Sequence, residues 1–180
     1  GGGRGGGGIE FSDGKELRWG RLAMENGYGS ELLPLVLPLR AEYWNGSAFV
    51  LNGDDGCTAL AANRLTLTSA VVPDREPGVD PIRINGVTSN TTTAQVPSAF
   101  AGGVGDLLFT GPGSGGEGWV NVAVRLNGFS FGAVAYEESR PWLRFDWDGD
   151  GSHDDDPAAR ATFGIFRNDD SIIYWREAVD

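Results

Sequence analysis

Leu33, Leu35, Leu37, Leu39, Ala41 and Tyr43 occupy every second position of an eleven-residue stretch. A period of two is the period of a β-strand, whose successive side chains point to opposite faces. A helix cannot gather such a set on one side. The run therefore commits the chain to a sheet with one buried face, and Leu33, Leu35, Leu37, Leu39 and Tyr43 are expected to point into the core. Pro34 and Pro38 fall on the opposite parity. Proline has no N–H to give to a ladder, so part of this strand is expected at a sheet edge. Asn45-Gly46 then separates it from Ser47 to Leu51. Asn-Gly between two such runs predicts a type I′ turn and an antiparallel hairpin of residues 33–43 and 48–51.

Other stretches repeat the pattern. Strands are expected at Leu17 to Glu25, Leu65 to Thr68, Leu107 to Thr110 and Val120 to Leu126. Another pair is expected at Thr162 to Arg167 and Ser171 to Glu177, with a weaker signal at Pro81 to Ile84 and a start near Ile9 to Phe11. No segment keeps a 3.6-residue period over ten positions, and the 29 glycines favour turns over helices. The one helical turn expected is Asp156-Pro-Ala-Ala-Arg160, read as an N-cap with Pro at the first helical position. Many short strands between Gly-rich turns define an all-β fold, a β-sandwich of jelly-roll or Ig-like type. The expected organisation is a flexible Gly-rich segment at residues 1–8, then a single β-sandwich domain at residues 9–180. Residues 73–103, rich in Pro, Gly, Thr and Ser, read as long loops.

The acidic stretch is Asp146-Trp-Asp-Gly-Asp-Gly-Ser-His-Asp-Asp-Asp156, with six aspartates in eleven residues. Asp146, Asp148 and Asp150 alternate and Gly151 follows, which is the first half of a D-x-D-x-D-G calcium loop. Ca²⁺ takes about six to eight oxygen ligands. Asp146, Asp148, Asp150 and Asp154 are the expected carboxylate ligands, with the Ser152 carbonyl completing the shell. Pro157 stands where an EF-hand would place its bidentate Glu, and no amphipathic helix flanks the loop. Without a cation, so many like charges repel one another, and a solvated acidic turn is the competing reading. Phe145 and Trp147 interleave with the carboxylates, which argues for a loop held against packed side chains.

Net charge is −11, and discounting the six loop aspartates leaves −5. Acidic surfaces repel nucleic-acid phosphates and anionic lipids, so neither is an expected partner. No run of 18 apolar residues is present to cross a bilayer as a helix. The chain opens on Gly and shows no signal peptide, which reads as a processed product or a piece of a longer protein. Cys57 is the single cysteine. It is expected to be a small buried hydrophobe, or else to bond to another chain or an upstream segment.

Three functions compete: a structural or adhesive module stiffened by calcium, a hydrolase acting on surface polysaccharide, and a sugar-binding module. A glycosidase needs two carboxylates across a cleft. Glu117, Glu137 and Glu138 can be nominated, but adjacent residues on a strand face opposite ways, and surface acids are the simpler reading. His153, the one histidine, lies inside the acidic loop and reads as a solvated imidazole. Trp19, Trp44, Trp119, Trp142, Trp147 and Trp175 all fall in or beside expected strands, so core packing explains most of them.

Several stretches together resemble one family. They are Arg21-Leu-Ala-Met-Glu-Asn-Gly-Tyr-Gly-Ser-Glu-Leu-Leu33, Pro38-Leu-Arg-Ala-Glu-Tyr-Trp-Asn-Gly-Ser47 and Asp54-Asp-Gly-Cys-Thr58. Pro141-Trp-Leu-Arg-Phe-Asp-Trp-Asp-Gly-Asp-Gly151 and Asp156-Pro-Ala-Ala-Arg-Ala-Thr-Phe-Gly-Ile-Phe166 follow, with Ile173-Tyr-Trp-Arg-Glu177 last. Over most of residues 17–177 the chain resembles the C-terminal domain of MshQ-type proteins, which are encoded with mannose-sensitive haemagglutinin type IV pili. The resemblance implies an extracellular or cell-surface, pilus-associated bacterial protein that is not a known catalyst. It implies filament assembly or adhesion, with neighbouring subunits of the same chain or pilus proteins as partners. A surface glycan is the alternative partner, and the acidic loop is the motif carried over as a site.

Overall fold

The computed structural model describes residues 18–72, 81–97, 99–127, 129–131, 134–136 and 139–164, with only the backbone at 129–131 and 134–136. The strands follow in chain order. They are β1 (Gly20–Met24), β2 (Gly27–Gly29), β3 (Leu35–Trp44), β4 (Phe49–Leu51), β5 (Leu65–Ser69), β6 (Ile82–Arg83) and β7 (Thr91–Thr92). Then come β8 (Ala94–Gln95), β9 (Val104–Phe109), β10 (Gly118–Val124), β11 (Phe129–Phe131), β12 (Val134–Tyr136) and β13 (Ala158–Phe163). Among the described residues there is no α-helix, only 3₁₀ turns at Ala62–Arg64 and Pro141–Leu143. The all-β expectation holds.

Two main sheets face each other. The first runs β1-β3-β9-β8, with β4 pairing β3 beyond the end of β9. The second runs β2-β13-β10-β5. The core lies between them. Leu22, Leu35, Leu37, Leu39, Leu107 and Phe109 point in from the first sheet. Leu65, Leu67, Val120, Val122, Val124, Ala161 and Phe163 answer from the second. The rings of Phe109 and Phe163 meet edge-on at 6.5 Å across the interface. Burying each large apolar side chain contributes about 1.5–3 kcal/mol, so this shared inner face is what holds the sandwich together. The first strand serves both sheets: β1 and β2 are separated only by Glu25 and Asn26 yet belong to different sheets. The Asn26 Oδ1 accepts the Arg160 N–H at 2.8 Å, pinning the crossing to β13.

Several sequence expectations need correction. The proline-bearing strand is not among them: Leu39 to Tyr43 are flanked on both sides, by β1 and by β9 or β4, whereas Leu35 to Pro38 pair β9 alone, so part of β3 has an open side as expected. The ladder accommodates Pro38 because its polar groups point to the β1 side just where β1 ends. The Pro38 carbonyl there accepts a long 3.4 Å bond from the Glu25 N–H. Leu33, expected in the core, lies before the strand and is 63% exposed; Leu35, Leu37 and Leu39 face the core as expected, Ala41 joins them, and Tyr43 is only half-buried. The β3–β4 hairpin forms, but Trp44 pairs Phe49 and the connection is four residues long. The Asn45 side chain closes that loop by accepting the Ser47 and Ala48 N–H groups, with Gly46 at φ 103°. This is not the two-residue type I′ turn.

The expected helical turn at Asp156 to Arg160 is also absent. Ala158–Phe163 is a strand, clamped by β10 on one side and β2 on the other. The sandwich core claims Ala159, Ala161 and Phe163, and that alternation overrides the local Asp-Pro signal. The Asp156 carboxylate instead accepts the Leu126 N–H at 2.9 Å. Short strands β6, β7 and β8 punctuate the segment read as long loops. The expectations for residues 1–17, 165–167 and 171–177 lie outside the described residues.

Candidate functional site

The acidic loop is closed at its neck by an isolated antiparallel bridge between Phe145 and Asp155. The Asp155 N–H donates to the Phe145 carbonyl at 3.0 Å. Inside this neck the backbone is held by the loop's own carboxylates. Asp146 accepts the N–H groups of Gly149 and Gly151, at 2.7 and 3.0 Å. Asp148 accepts that of Asp150, Asp150 that of Ser152, and Asp155 those of Trp147 and Asp148. Gly149 and Gly151 have φ of 79° and 92°, and a Cβ at either would meet nothing within 4 Å. Their requirement is conformational, a left-handed turn that only glycine makes without strain.

Asp146, Asp148 and Asp155 each bring a carboxylate oxygen into a group lying within 4.8 Å of one another. The spacing argument singled out Asp146 and Asp148 but passed over Asp155. Asp150, Ser152 and Asp154 stand outside that group. Asp155 reaches it because the neck bridge folds the end of the loop back onto its beginning, a tertiary pairing that no i, i+2 rule encodes. The donor set is all oxygen, which suits a hard cation such as Ca²⁺. The Asp150 N–H bonded to Asp148 favours its charged form. Desolvation and the charges of Asp150, Asp155 and Asp146 outweigh that bond, so the Asp148 carboxyl titrates above the usual aspartate range. A divalent cation would relieve this like-charge crowding.

The loop rests on a satellite aromatic cluster, outside the main core. Phe145 packs edge-on against Phe49 at 5.0 Å and against Trp147 at 5.1 Å. Trp19 lies 5.4 Å from Phe49, 6.3 Å from Trp44 and 5.2 Å from the His153 ring. The Arg21 guanidinium sits 4.0 Å over Phe49, 4.8 Å over Phe145 and 4.9 Å over Trp147. Glu42 across the β1–β3 ladder fixes that guanidinium, accepting from Nε and Nη2 at 2.8 Å each. Each ring pair contributes about 0.5–1.5 kcal/mol beyond its burial, so the cluster anchors the loop to the outer face of the first sheet. His153, expected to be solvated, is exposed but packs on the rings of Trp19 and Phe145.

The tryptophans depart from expectation. None of the five described ones lies in the main core. Trp19, Trp44, Trp142 and Trp147 are exposed, and Trp119 is half-buried beneath the Arg160 guanidinium. Trp19 and Trp44 are tilted by 53° and do not form a flat platform. Trp175, Glu137 and Glu138 lie outside the described residues. Cys57, expected to be buried, is exposed, because Asp55 pulls the turn around it inward. The buried Asp55 carboxylate accepts the Cys57 and Thr58 N–H groups at 3.1 and 2.8 Å and the Thr58 hydroxyl at 2.6 Å. Burial alone would raise the Asp55 pKa, but these hydrogen bonds together hold it below the usual aspartate range.

Fold and loop together define a two-sheet β module with an aspartate-rich loop seated on an aromatic cluster. The chain belongs to the DUF6701 family, as its fourth domain, with residues 18–178 matched. No curated protein and no solved structure matches it. No helix among the described residues is long and apolar enough to cross a membrane.

Proposed function

We propose that this domain is a non-enzymatic extracellular surface module, stiffened by Ca²⁺ and acting in filament assembly or adhesion on the bacterial surface. This reading follows the resemblance to MshQ-type, pilus-associated proteins, with neighbouring subunits or pilus proteins as partners. The observation that carries it is the convergence of Asp146, Asp148 and Asp155 in a loop already shaped by its own hydrogen bonds. A cation bound there ties the loop's first turn to its closing bridge, and through Phe145 and Trp147 to the face of the first sheet. Its role is mechanical.

Thermal melting tests the calcium half. A ligand that binds only the folded state at about a hundredfold excess over Kd adds about 2.7 kcal/mol. For a chain of this size that raises Tm by roughly 5–10 °C. Asp155→Ala is expected to abolish the rise and Asp154→Ala to retain most of it. A wild-type Tm that is equal in EDTA and in millimolar Ca²⁺ would rule the loop out as a calcium site. Sugar binding is the second reading, and a specific observation favours it: an exposed tryptophan set apart from the aromatic cluster.

A further inference from the structure

Trp142 lies on the 3₁₀ turn Pro141–Leu143, and 62% of it is exposed. The turn is not loosely held. Leu143 is buried in the core, its N–H donates to the Arg140 carbonyl at 3.1 Å, and the Arg144 N–H donates to that of Pro141 at 3.2 Å. The indole is therefore presented outward from a fixed base. Trp19, Trp44 and Trp147 spend their faces on one another or on the loop's rings, whereas no ring among the described residues stacks on Trp142.

Trp142 also walls a cleft. Two adjoining hollows, of ≈ 420 and ≈ 260 Å³, share Cys57, Thr58, Trp142 and Leu143. One extends towards Ser139 and Arg140 and the other towards Tyr43, Asn52 and Asp54. Ligand clefts commonly hold about 300–1,000 Å³. The polar groups in the second hollow are held in place before any ligand arrives. Arg18 lies 4.4 Å over the Tyr43 ring and donates to both Asn52 Oδ1 and Asp54 Oδ2 at 2.9 Å. Asp55 rigidifies the opposite rim at Cys57 and Thr58.

The charge balance selects the ligand class. Arg18 is paired with Asp54, and Glu42 with Arg21. Arg140 is turned to the Ala59 carbonyl, so an ionic ligand would have to compete with contacts these charged groups already make. The chain's net charge of −11 further disfavours phosphate and carboxylate groups. An unstacked aromatic face remains, beside hydroxyl, amide and carboxylate groups with hydrogen-bonding capacity to spare. That chemistry matches a neutral pyranose, whose C–H face packs on an aromatic ring while its hydroxyls bond at the rim. We infer that the cleft between Trp142 and the Asn52–Thr58 turn is a binding site for neutral oligosaccharides. The inference gives a ligand class to the adhesive part of the proposed function and does not depend on the calcium loop.

The test is titration calorimetry with neutral tetrasaccharides of β-1,4-glucose, β-1,4-N-acetylglucosamine and α-1,4-glucose, each run in Ca²⁺ and in EDTA. Sulfated counterparts serve as the charged comparison. At least one neutral probe is expected to bind with Kd between about 10 µM and 10 mM, and its sulfated form more weakly. Trp142→Ala should weaken binding about tenfold or more, Trp142→Phe should restore part of it, and Trp147→Ala, away from the cleft, should leave it unchanged. Circular dichroism checks that each variant is folded, and running both conditions separates a failed calcium loop from a failed sugar site. Three outcomes overturn the inference: no neutral probe binding to the wild type, equal binding by Trp142→Ala, or self-association that Trp142→Ala abolishes. The last would assign the indole to a protein contact instead.

Discussion

At the scale of the residue, two carboxylates stand in opposite situations. Asp55 is buried and fully engaged as an acceptor, so its charge is stabilised. Asp148 is exposed and crowded by like charges, so its charge is opposed. These situations predict opposite responses to substitution. Hydrogen bonds to a charged group contribute about 1.5–3 kcal/mol, so Asp55→Ala is expected to cost about 2–3 kcal/mol at neutral pH. The Asp55 pKa is lowered in the folded state, so its contribution is present above the unfolded value of about 3.8 and lost as pH falls through the folded one. Urea melts of parent and variant should therefore converge in strong acid, and a gap that widens there would show that Asp55 is not stabilised as the anion. Asp148→Asn is expected to raise Tm in EDTA while removing the Ca²⁺ response. If it lowers Tm in EDTA, the crowding does not strain the loop. Asp146, Asp148 and the two glycines were legible because the D-x-D-x-D-G spacing is a local chemical pattern. Asp155 and the exposed Trp142 were not, since a neck bridge and an outward-facing turn are set by tertiary contacts.

At the scale of the element, β3 shows what periodicity can and cannot say. Its alternation placed Leu35, Leu37, Leu39 and Ala41 on the core face, because burial of one face is what selects the pattern. Its prolines located its open side too: β1 stops opposite Leu39, so Leu35 to Pro38 pair β9 alone and the missing N–H of Pro38 costs no ladder bond. Leu33 departs because the alternation runs two residues past the point where pairing begins, at Leu35 with Phe109. The first half of β13, Ala158 to Arg160, fell inside the expected helical turn because Asp-Pro is a strong local start signal, yet the two strands flanking it outweigh one cap; Thr162 and Phe163 lie in a strand as expected. Leu37, fully buried in the centre of β3, tests the assigned face. Leu37→Ala is expected to cost about 2–5 kcal/mol, against a typical domain stability of about 5–15 kcal/mol. Leu37→Asp places an unpaired charge in the core and should leave the domain unfolded by circular dichroism. Leu33→Asp, at an exposed position, should melt within a degree or two of the parent, and a large loss there would contradict the boundary.

At the scale of the whole molecule, the sandwich leaves two five-residue edge strands among the described residues, β1 and β5. An extended segment from a neighbouring copy could add to such an edge by main-chain hydrogen bonds. The Gly-rich start at residues 1–8 is the expected donor, since glycine lets backbones approach closely. If subunits exchange their starts head-to-tail, deletion of residues 1–11 should convert a concentration-dependent assembly into a monomer by light scattering. A truncated chain that assembles like the intact one would assign the contact elsewhere. One feature of the second sheet bears on any protein that works in a filament under tension. β2 and β13 run parallel, with Gly27 opposite Ala161 and Gly29 opposite Phe163, and the Gly164 N–H donates to the Gly29 carbonyl at 2.9 Å. In a parallel pair the start of one strand and the finish of the other lie at opposite ends of the ladder. Drawing those two points apart slides the strands lengthwise, so the hydrogen bonds between them take the load in shear, all at once, where an antiparallel pair pulled from adjacent ends would unzip bond by bond.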